Sequence, residues 1–168
     1  MIREVEGDIL LSDAQVIAHG IATADPFDSG LALALRERFP SMVKDYRHAT
    51  HAKQPDTGDI WAWGGVNEDG SVRGIVNLCT QGMQSQAKSA RPVKAKLEDV
   101  NRTLRELATW VRKEDVKSVA LPRLATGVGG LDWADVKPLI QQHLGDLGIA
   151  VLVYEVYRKG EKADEKLA

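Results

Sequence analysis

Along nearly the whole chain, apolar runs of strand length alternate with segments whose apolar residues recur every three or four positions, and this alternation confines the fold to a few architectures. The strand-like runs are Ile2 to Val5, Val16-Ile17-Ala18, Asp59 to Gly64, Gly74 to Thr80, Ser118 to Leu121 and Ala150 to Val156, about six in all. The clearest helical pattern is Val93, Leu97, Val100, Leu104, Leu107 and Val111, whose spacing of four and three lays one apolar face along five turns. Further helices are expected from Gly30 or Leu31 to Phe39, stopping near Pro40, and from about Ser41 to Ala52. A fourth runs from Asp132, placed as N-cap, to Leu144, irregular or kinked at Pro138. Asn67-Glu68-Asp69-Gly70 reads as a turn, so the strands on either side of it should form an antiparallel hairpin. The fold class this implies is α/β, with three layers (α/β/α) and a mixed, mostly parallel central sheet; ligands of such folds gather at the carboxyl ends of strands.

The 168 residues suit a single domain over 1–157, followed by a charged segment, 158–168, without periodicity, which is expected to be a disordered tail. With 43% hydrophobic and 27% charged residues the chain is globular, and no apolar run reaches the ~20 residues of a membrane span. Met1 to Glu6 has no secretory leader, so a cytoplasmic, monomeric protein is expected. The lone Cys79, in an apolar strand, reads as a core residue. The net charge of −2 gives no global attraction for polyanions, so any nucleic-acid contact must be local. The cluster Lys88, Arg91, Lys94 and Lys96 lacks interleaved aromatics and reads as a solvated loop and helix start. Trp61 and Trp63 share one strand face and read as packing residues. His48-x-x-His51 is too sparse for a zinc site, and no metal or cofactor is expected.

Two strand-to-helix loops stand out. His19 to Leu31 enters a helix at Ser29-Gly30, where small residues let an anion approach free N–H groups and the favourable end of the helix dipole. Leu124 to Leu131 carries Gly127, Gly129 and Gly130, which let the backbone fold around a ligand. Each loop alone could be only a tight turn; two in one small sheet favour a ligand with two phosphates. Neither fits GxxxxGK[ST] or GxGxxG with its downstream acid, which argues against NTPase and ordinary dinucleotide sites. Asp8, after the first strand, is placed to accept from an exocyclic amine such as adenine N6.

These segments together resemble the macrodomain family of ADP-ribose binders. Gly7-Asp8-Ile9-Leu10 is similar to its opening signature, Val16 to His19 to its second strand, Ser29 to Pro40 to its first phosphate loop and helix, and Leu121 to Ile140 to its second. Within the family the chain most resembles the branch of terminal ADP-ribose protein glycohydrolases and antitoxin macrodomains that strip ADP-ribose from DNA. The resemblance implies adenine gripped by Asp8 and Ile9 with Tyr154 nearby. It implies the diphosphate and distal ribose wrapped by Ser29, Gly30, Leu31 and Ala32 and by Ala125, Thr126, Gly127, Val128, Gly129, Gly130 and Leu131, with His19 adjoining.

Three departures bear on mechanism. Where the branch's glycohydrolases carry a lysine after the strand ending at Thr80, this chain has Gln81, which cannot form a Schiff base. Gly129 occupies the position of a second-loop aspartate in one enzyme type, and the loop after the second strand lacks the asparagine of other macrodomain hydrolases. The expected activity is therefore lysine-independent hydrolysis of mono-ADP-ribosyl groups, with Asp28, Thr80, Gln81 and His19 as candidate catalytic residues. Because a carboxylate is a good leaving group, esters on protein Glu or Asp are the favoured substrates and DNA the second carrier. The alternatives are a non-catalytic reader of ADP-ribose and a general binder of NAD-like nucleotides.

Overall fold

The protein is described here by a computed structural model covering residues 1–66, 70, 72–84 and 91–167. In chain order its elements are β1 (Ile2–Gly7), a single 3-10 turn (Ile9–Leu11), β2 (Val16–Ala22), α1 (Gly30–Arg38), α2 (Pro40–Ala49), β3 (Ile60–Val66), β4 (Val72–Gln81), β5 (Met83–Gln84), β6 (Arg91–Pro92), α3 (Leu97–Lys113), β7 (Ser118–Pro122), α4 (Trp133–Leu144) and β8 (Ala150–Tyr157). Six strands form one sheet in the order β1-β8-β7-β2-β4-β3, while β5 and β6 make a separate short pair. Every neighbouring pair in the main sheet is parallel except β3 with β4, the expected hairpin, so the sheet is mixed and mostly parallel. Most of the turn that joins the hairpin, 67–69 and 71, lies outside the described residues.

The period-2 alternation of the central strands produces the three layers. Val16, Ala18, Val76, Leu78, Val119, Leu121, Val151 and Val153 face one side, where Val100, Leu104, Leu107 and Val111 of α3 and Val136, Ile140 and Leu144 of α4 cover them. Ile17, Ile21, Ile75, Cys79, Ala120 and Leu152 face the other, against Leu35 of α1, Met42, Val43 and Tyr46 of α2, and Phe27 and Phe39. Each fully buried Leu or Ile stabilises by ~1.5–3 kcal/mol relative to exposure. Cys79 is wholly buried, and burial pushes its thiol up to about 12, which makes it an inert core residue. Trp61 and Trp63 both pack on this layer, Trp61 edge-on to Tyr46 and Trp63 edge-on to Phe39 with its Nε1 donating to Asp45.

Several boundaries differ from the sequence expectation, each for a local reason. Val93 precedes α3, because its N–H donates to Gly82 and that of Ala95 to Gly129, holding this stretch extended; the helix begins at Leu97 with Glu98 and Asp99 in its first turn. α2 ends at Ala49, three residues early, where the backbone and hydroxyl of Thr50 both donate to the Tyr46 carbonyl. Pro138 sits inside α4 without ending it: both Pro138 and Ala134, whose carbonyl loses a partner, face solvent.

The expected frayed tail is instead folded onto the sheet. Arg158 donates to the Gly7 carbonyl, Asp8 to that of Glu161, and Ala163 and Glu165 are buried. The Glu165 carboxylate accepts from Ser12 Oγ at 2.6 Å, Asp13 N at 2.8 Å and Tyr154 Oη at 2.7 Å. Charge alone made this segment look solvated, yet a buried carboxylate with three donors is a stable arrangement. Glu165→Ala is expected to destabilise the fold by about 2–3 kcal/mol, read by urea unfolding, because buried hydroxyls lose their acceptor. An unchanged midpoint would show the tail to be dispensable.

Candidate active site

The carboxyl ends of β2, β4 and β7 open into a cleft of about 400 Å³, lined by both loops singled out in the sequence. On one wall stand Asp25, Pro26, Asp28, Ser29, Gly30, Leu31 and Ala32; on the other Pro122, Arg123, Leu124, Ala125, Gly127, Val128 and Gly129. Its floor includes His19, Gly20, Thr80, Gln81 and Met83.

The first loop is held rigidly. Asp25 accepts from the N–H groups of Ala22 at 3.0 Å and Phe27 at 2.8 Å, so its carboxylate is committed to loop shape. Phe27, fully buried with φ +55°, is forced into a conformation that bulky residues rarely adopt and is wedged edge-on against Tyr46. The Tyr46 hydroxyl in turn donates to the Thr23 carbonyl. This bracketing turns the next residue, Asp28, outward: it is exposed, lines the cleft, and has no hydrogen-bond partner among the described residues. Ser29, the N-cap of α1, makes no side-chain cap bond, and the first helical N–H to close a turn is Leu33 to Ser29 O. The N–H groups of Gly30, Leu31 and Ala32 are thus left for an anion.

The second loop offers a matching set. Gly130 N donates to Gly127 O and Leu131 N to Ala125 O, closing the loop on itself. Among the described residues the N–H groups of Thr126, Gly127, Val128 and Gly129 meet no protein acceptor. Thr126, Gly130 and Leu131 are not in the cleft lining: the Thr126 hydroxyl donates to Arg123 O, Leu131 packs on the α3 and α4 layer, and the Lys94 side chain lies along Gly130. Gly129 is obligatory here, since a Cβ would stand 2.6 Å from the Ala125 carbonyl oxygen.

The floor is set by a bulge. Ile21 pairs with Cys79 but Ala22 with Gln81, so Thr80 is the extra residue, and two consecutive side chains are delivered to the cleft. Thr80 Oγ1 donates to Gln81 Oε1 at 3.0 Å. Gly20 leaves the space Thr80 occupies, as a Cβ there would come 3.0 Å from Thr80 Oγ1.

His19, a candidate catalyst, is placed differently from the rest. It is buried, its Nε2 donates to Asn77 Oδ1 at 2.6 Å, and burial pushes its pKa down to about 4 despite the Asn77 bond and the charge of Asp25. The imidazole is thus neutral and tethered to Asn77 at the floor of the cleft.

Beyond Gly30 and Leu31 the cleft continues into an apolar cavity of about 420 Å³, lined by Ile9, Leu10, Leu31, Ala34, Tyr154 and Tyr157 among others. Ile9 and Tyr154 both line this cavity. Asp8 does not line this cavity; its carboxylate accepts from Leu10 N at 3.0 Å and Gly160 N at 2.9 Å. A polar cleft with free N–H groups on both walls, running into an apolar slot wide enough for a base, matches a nucleoside diphosphate extended by a further sugar.

The Macro domain family profile matches residues 19–140, from the middle of β2 through both loops into α4. The chain belongs to the macro domain family. The chain is 31% identical over 159 residues to a DNA ADP-ribosyl glycohydrolase of Thermus aquaticus, covering 92% of this chain and 41% of that protein. To a DNA ADP-ribosyl transferase-DNA ADP-ribosyl glycohydrolase fusion protein of Thermosipho africanus it is 27% identical over 157 residues, 89% of this chain and 40% of that protein. The macrodomain thus spans about two fifths of the length of these curated relatives. Its fold superposes on the macrodomain of Thermus aquaticus DarG with a TM-score of 0.75 at 29% identity, over 92% of this chain and 98% of that one.

The sequence reading missed Arg123. This residue lines the macrodomain's cleft, its Cζ 5.6 Å from the centre of the Trp133 ring, while Trp133 Nε1 is fixed by Glu155. Its position directly after a strand was the available signal. Among the described residues no group of three metal-ligating side chains occurs, and His48 and His51 are both exposed. No helix among them is long and apolar enough to cross a membrane.

Proposed function

We propose that this macrodomain binds ADP-ribose across the two loops and hydrolyses its link to a macromolecule, with ADP-ribosylated DNA as the substrate class. The observation that carries the reading is the pair of facing N–H arrays with one uncommitted carboxylate, Asp28, at the rim beside them. The relatives' DNA activity favours DNA over the protein esters preferred from leaving-group chemistry, which stand as the second substrate.

In this mechanism the diphosphate is held by the N–H groups of Gly30 to Ala32 and Gly127 to Gly129, and adenine enters the apolar cavity. The distal ribose then lies towards Asp28, Thr80 and Gln81. A water held by Asp28 gives up its proton to that carboxylate as its oxygen bonds to the anomeric carbon; the bond from that carbon to the carrier breaks with its electron pair on the carrier atom, which then takes a proton from solvent, and Asp28 returns its proton to solvent. The same carboxylate offsets positive charge developing on the sugar ring. The hydroxyl of Thr80 and amide of Gln81 position the sugar, so no covalent enzyme intermediate is needed.

The test is release of free ADP-ribose from an ADP-ribosylated oligonucleotide, beside calorimetric titration with ADP-ribose. Asp28→Asn is expected to lower release about 100-fold or more, the range of a lost general base, while ADP-ribose affinity changes by less than about threefold. Binding without release in the unsubstituted protein would make it a reader. Equal release by Asp28→Asn would remove that residue from the chemistry.

A further inference from the structure

On the outer face of the α1–α2 pair, Arg36, Glu37, Pro40, Val43, Lys44 and Arg47 line a shallow groove of about 410 Å³. Three cations face one carboxylate there, in a chain whose net charge is −2. Arg36, Lys44 and Arg47 are exposed, and among the described residues none forms a salt bridge. The groove touches the cleft at one end: the Arg47 guanidinium donates to the carbonyl of Pro26, a rim residue two positions before Asp28. It also follows α1 outward from the cleft, since Arg36 lies one turn beyond Ala32, which lines the cleft wall.

We infer that this groove is a docking track for the phosphate backbone of a single nucleic-acid strand whose ADP-ribosylated unit sits in the cleft. The inference rests on the DNA reading above and adds the surface that would hold the carrier. Lys44 and Arg47 are helical neighbours three positions apart, which sets their Cβ atoms about 5–6 Å from each other, close enough for long side chains to meet successive phosphates. Guanidinium forks suit phosphate oxygens, and a groove of exposed cations that form no salt bridge among the described residues suits a chain of regularly spaced anions. A single strand is specified because a sugar attached to a base can enter a cleft of this size only when that nucleotide is out of the duplex stack. With no base-stacking aromatic in its lining, the track would hold the strand by its phosphates alone, and phosphate contacts carry no sequence information.

The experiment measures binding of an unmodified, fluorescein-labelled 12-nucleotide oligothymidylate by anisotropy over a range of salt, with ADP-ribose calorimetry on the same samples. Arg36→Gln/Lys44→Gln is the test variant; Arg47 is left in place because it braces Pro26. The expected result is about tenfold weaker oligonucleotide binding and a log–log salt slope shallower by about 1.4, the loss of two contacts at ~0.7 each. ADP-ribose affinity is expected to be unchanged, and Arg36→Lys/Lys44→Arg should keep the original slope. An unaltered slope in the neutralised variant would overturn the inference. So would absence of oligonucleotide binding in a protein that binds ADP-ribose, or equal competition by a polyglutamate peptide, which would point to an acidic protein partner. Loss of ADP-ribose binding in the unsubstituted protein would instead strike the proposed function, leaving the oligonucleotide measurement to decide the groove by itself.

Discussion

Gly129→Ala is expected to weaken ADP-ribose binding at least about 100-fold, or about 2.7 kcal/mol, in calorimetric titration. The added Cβ would stand 2.6 Å from the carbonyl oxygen and 2.9 Å from the Cα of Ala125. Both are backbone atoms, so no rotamer change relieves the clash. Ala125 cannot yield cheaply either, because it already has φ +59° and its carbonyl accepts from Leu131 N. The loop must open, and with it move the N–H groups of Gly127 to Gly129 that the proposal assigns to the diphosphate. The same geometry forbids Gly129→Asp, the residue that the family resemblance puts here in one enzyme type. A variant of either kind that binds within threefold of the unsubstituted protein would show that the loop is soft and that its present shape is not what holds the ligand.

Stability is expected to fall by about 3 kcal/mol as pH drops from 6.5 to 4 through His19 alone. The folded pKa, about 4, lies below the ordinary value of 6.5, chiefly because burial disfavours the charged ring. Between those values the unfolded chain binds a proton that the native state refuses, so stability rises with pH across this window and levels off above it. Replacement by glutamine, which can still donate to Asn77, should flatten that part of the profile in urea unfolding relative to the unsubstituted protein. Parallel profiles for the two would mean that His19 titrates normally. The prediction bears on the proposed function as well: with His19 neutral at physiological pH and Asp28 proposed as the base, activity is expected not to track an imidazole titration.

Much of this architecture was legible because it depends on local periodicity. The alternation of Ile17 against Ala18, or Val151 against Leu152, sorts residues to the two faces of the sheet before any tertiary contact is known. Glycines between a strand and a helix likewise announce free backbone donors, which is why both walls of the cleft were found. Harder to see were features that depend on residues distant in sequence. Asp25 and Asp28 look equivalent in the chain; only the folded loop commits the first to Ala22 and Phe27 and releases the second. The tail looked solvated because the donors that make Glu165 comfortable come from Ser12, Asp13 and Tyr154. Likewise the bulge at Thr80 is a matter of register between β2 and β4, which composition does not encode.

The placing of β1 at the sheet edge has a consequence for how the molecule is made. Among the described residues its ladder partner in the main sheet is β8, with Ile2 opposite Val151, so β1 cannot pair until the far end of this domain's sequence is in place. The two loops that line the cleft belong to strands that can assemble earlier, whereas the apolar cavity takes Gly7, Ile9 and Leu10 from one side of the domain's sequence and Tyr154 and Tyr157 from the other. On the proposed reading the site is therefore completed from its phosphate end: the loops proposed to hold the diphosphate can form before the cavity proposed to take the base.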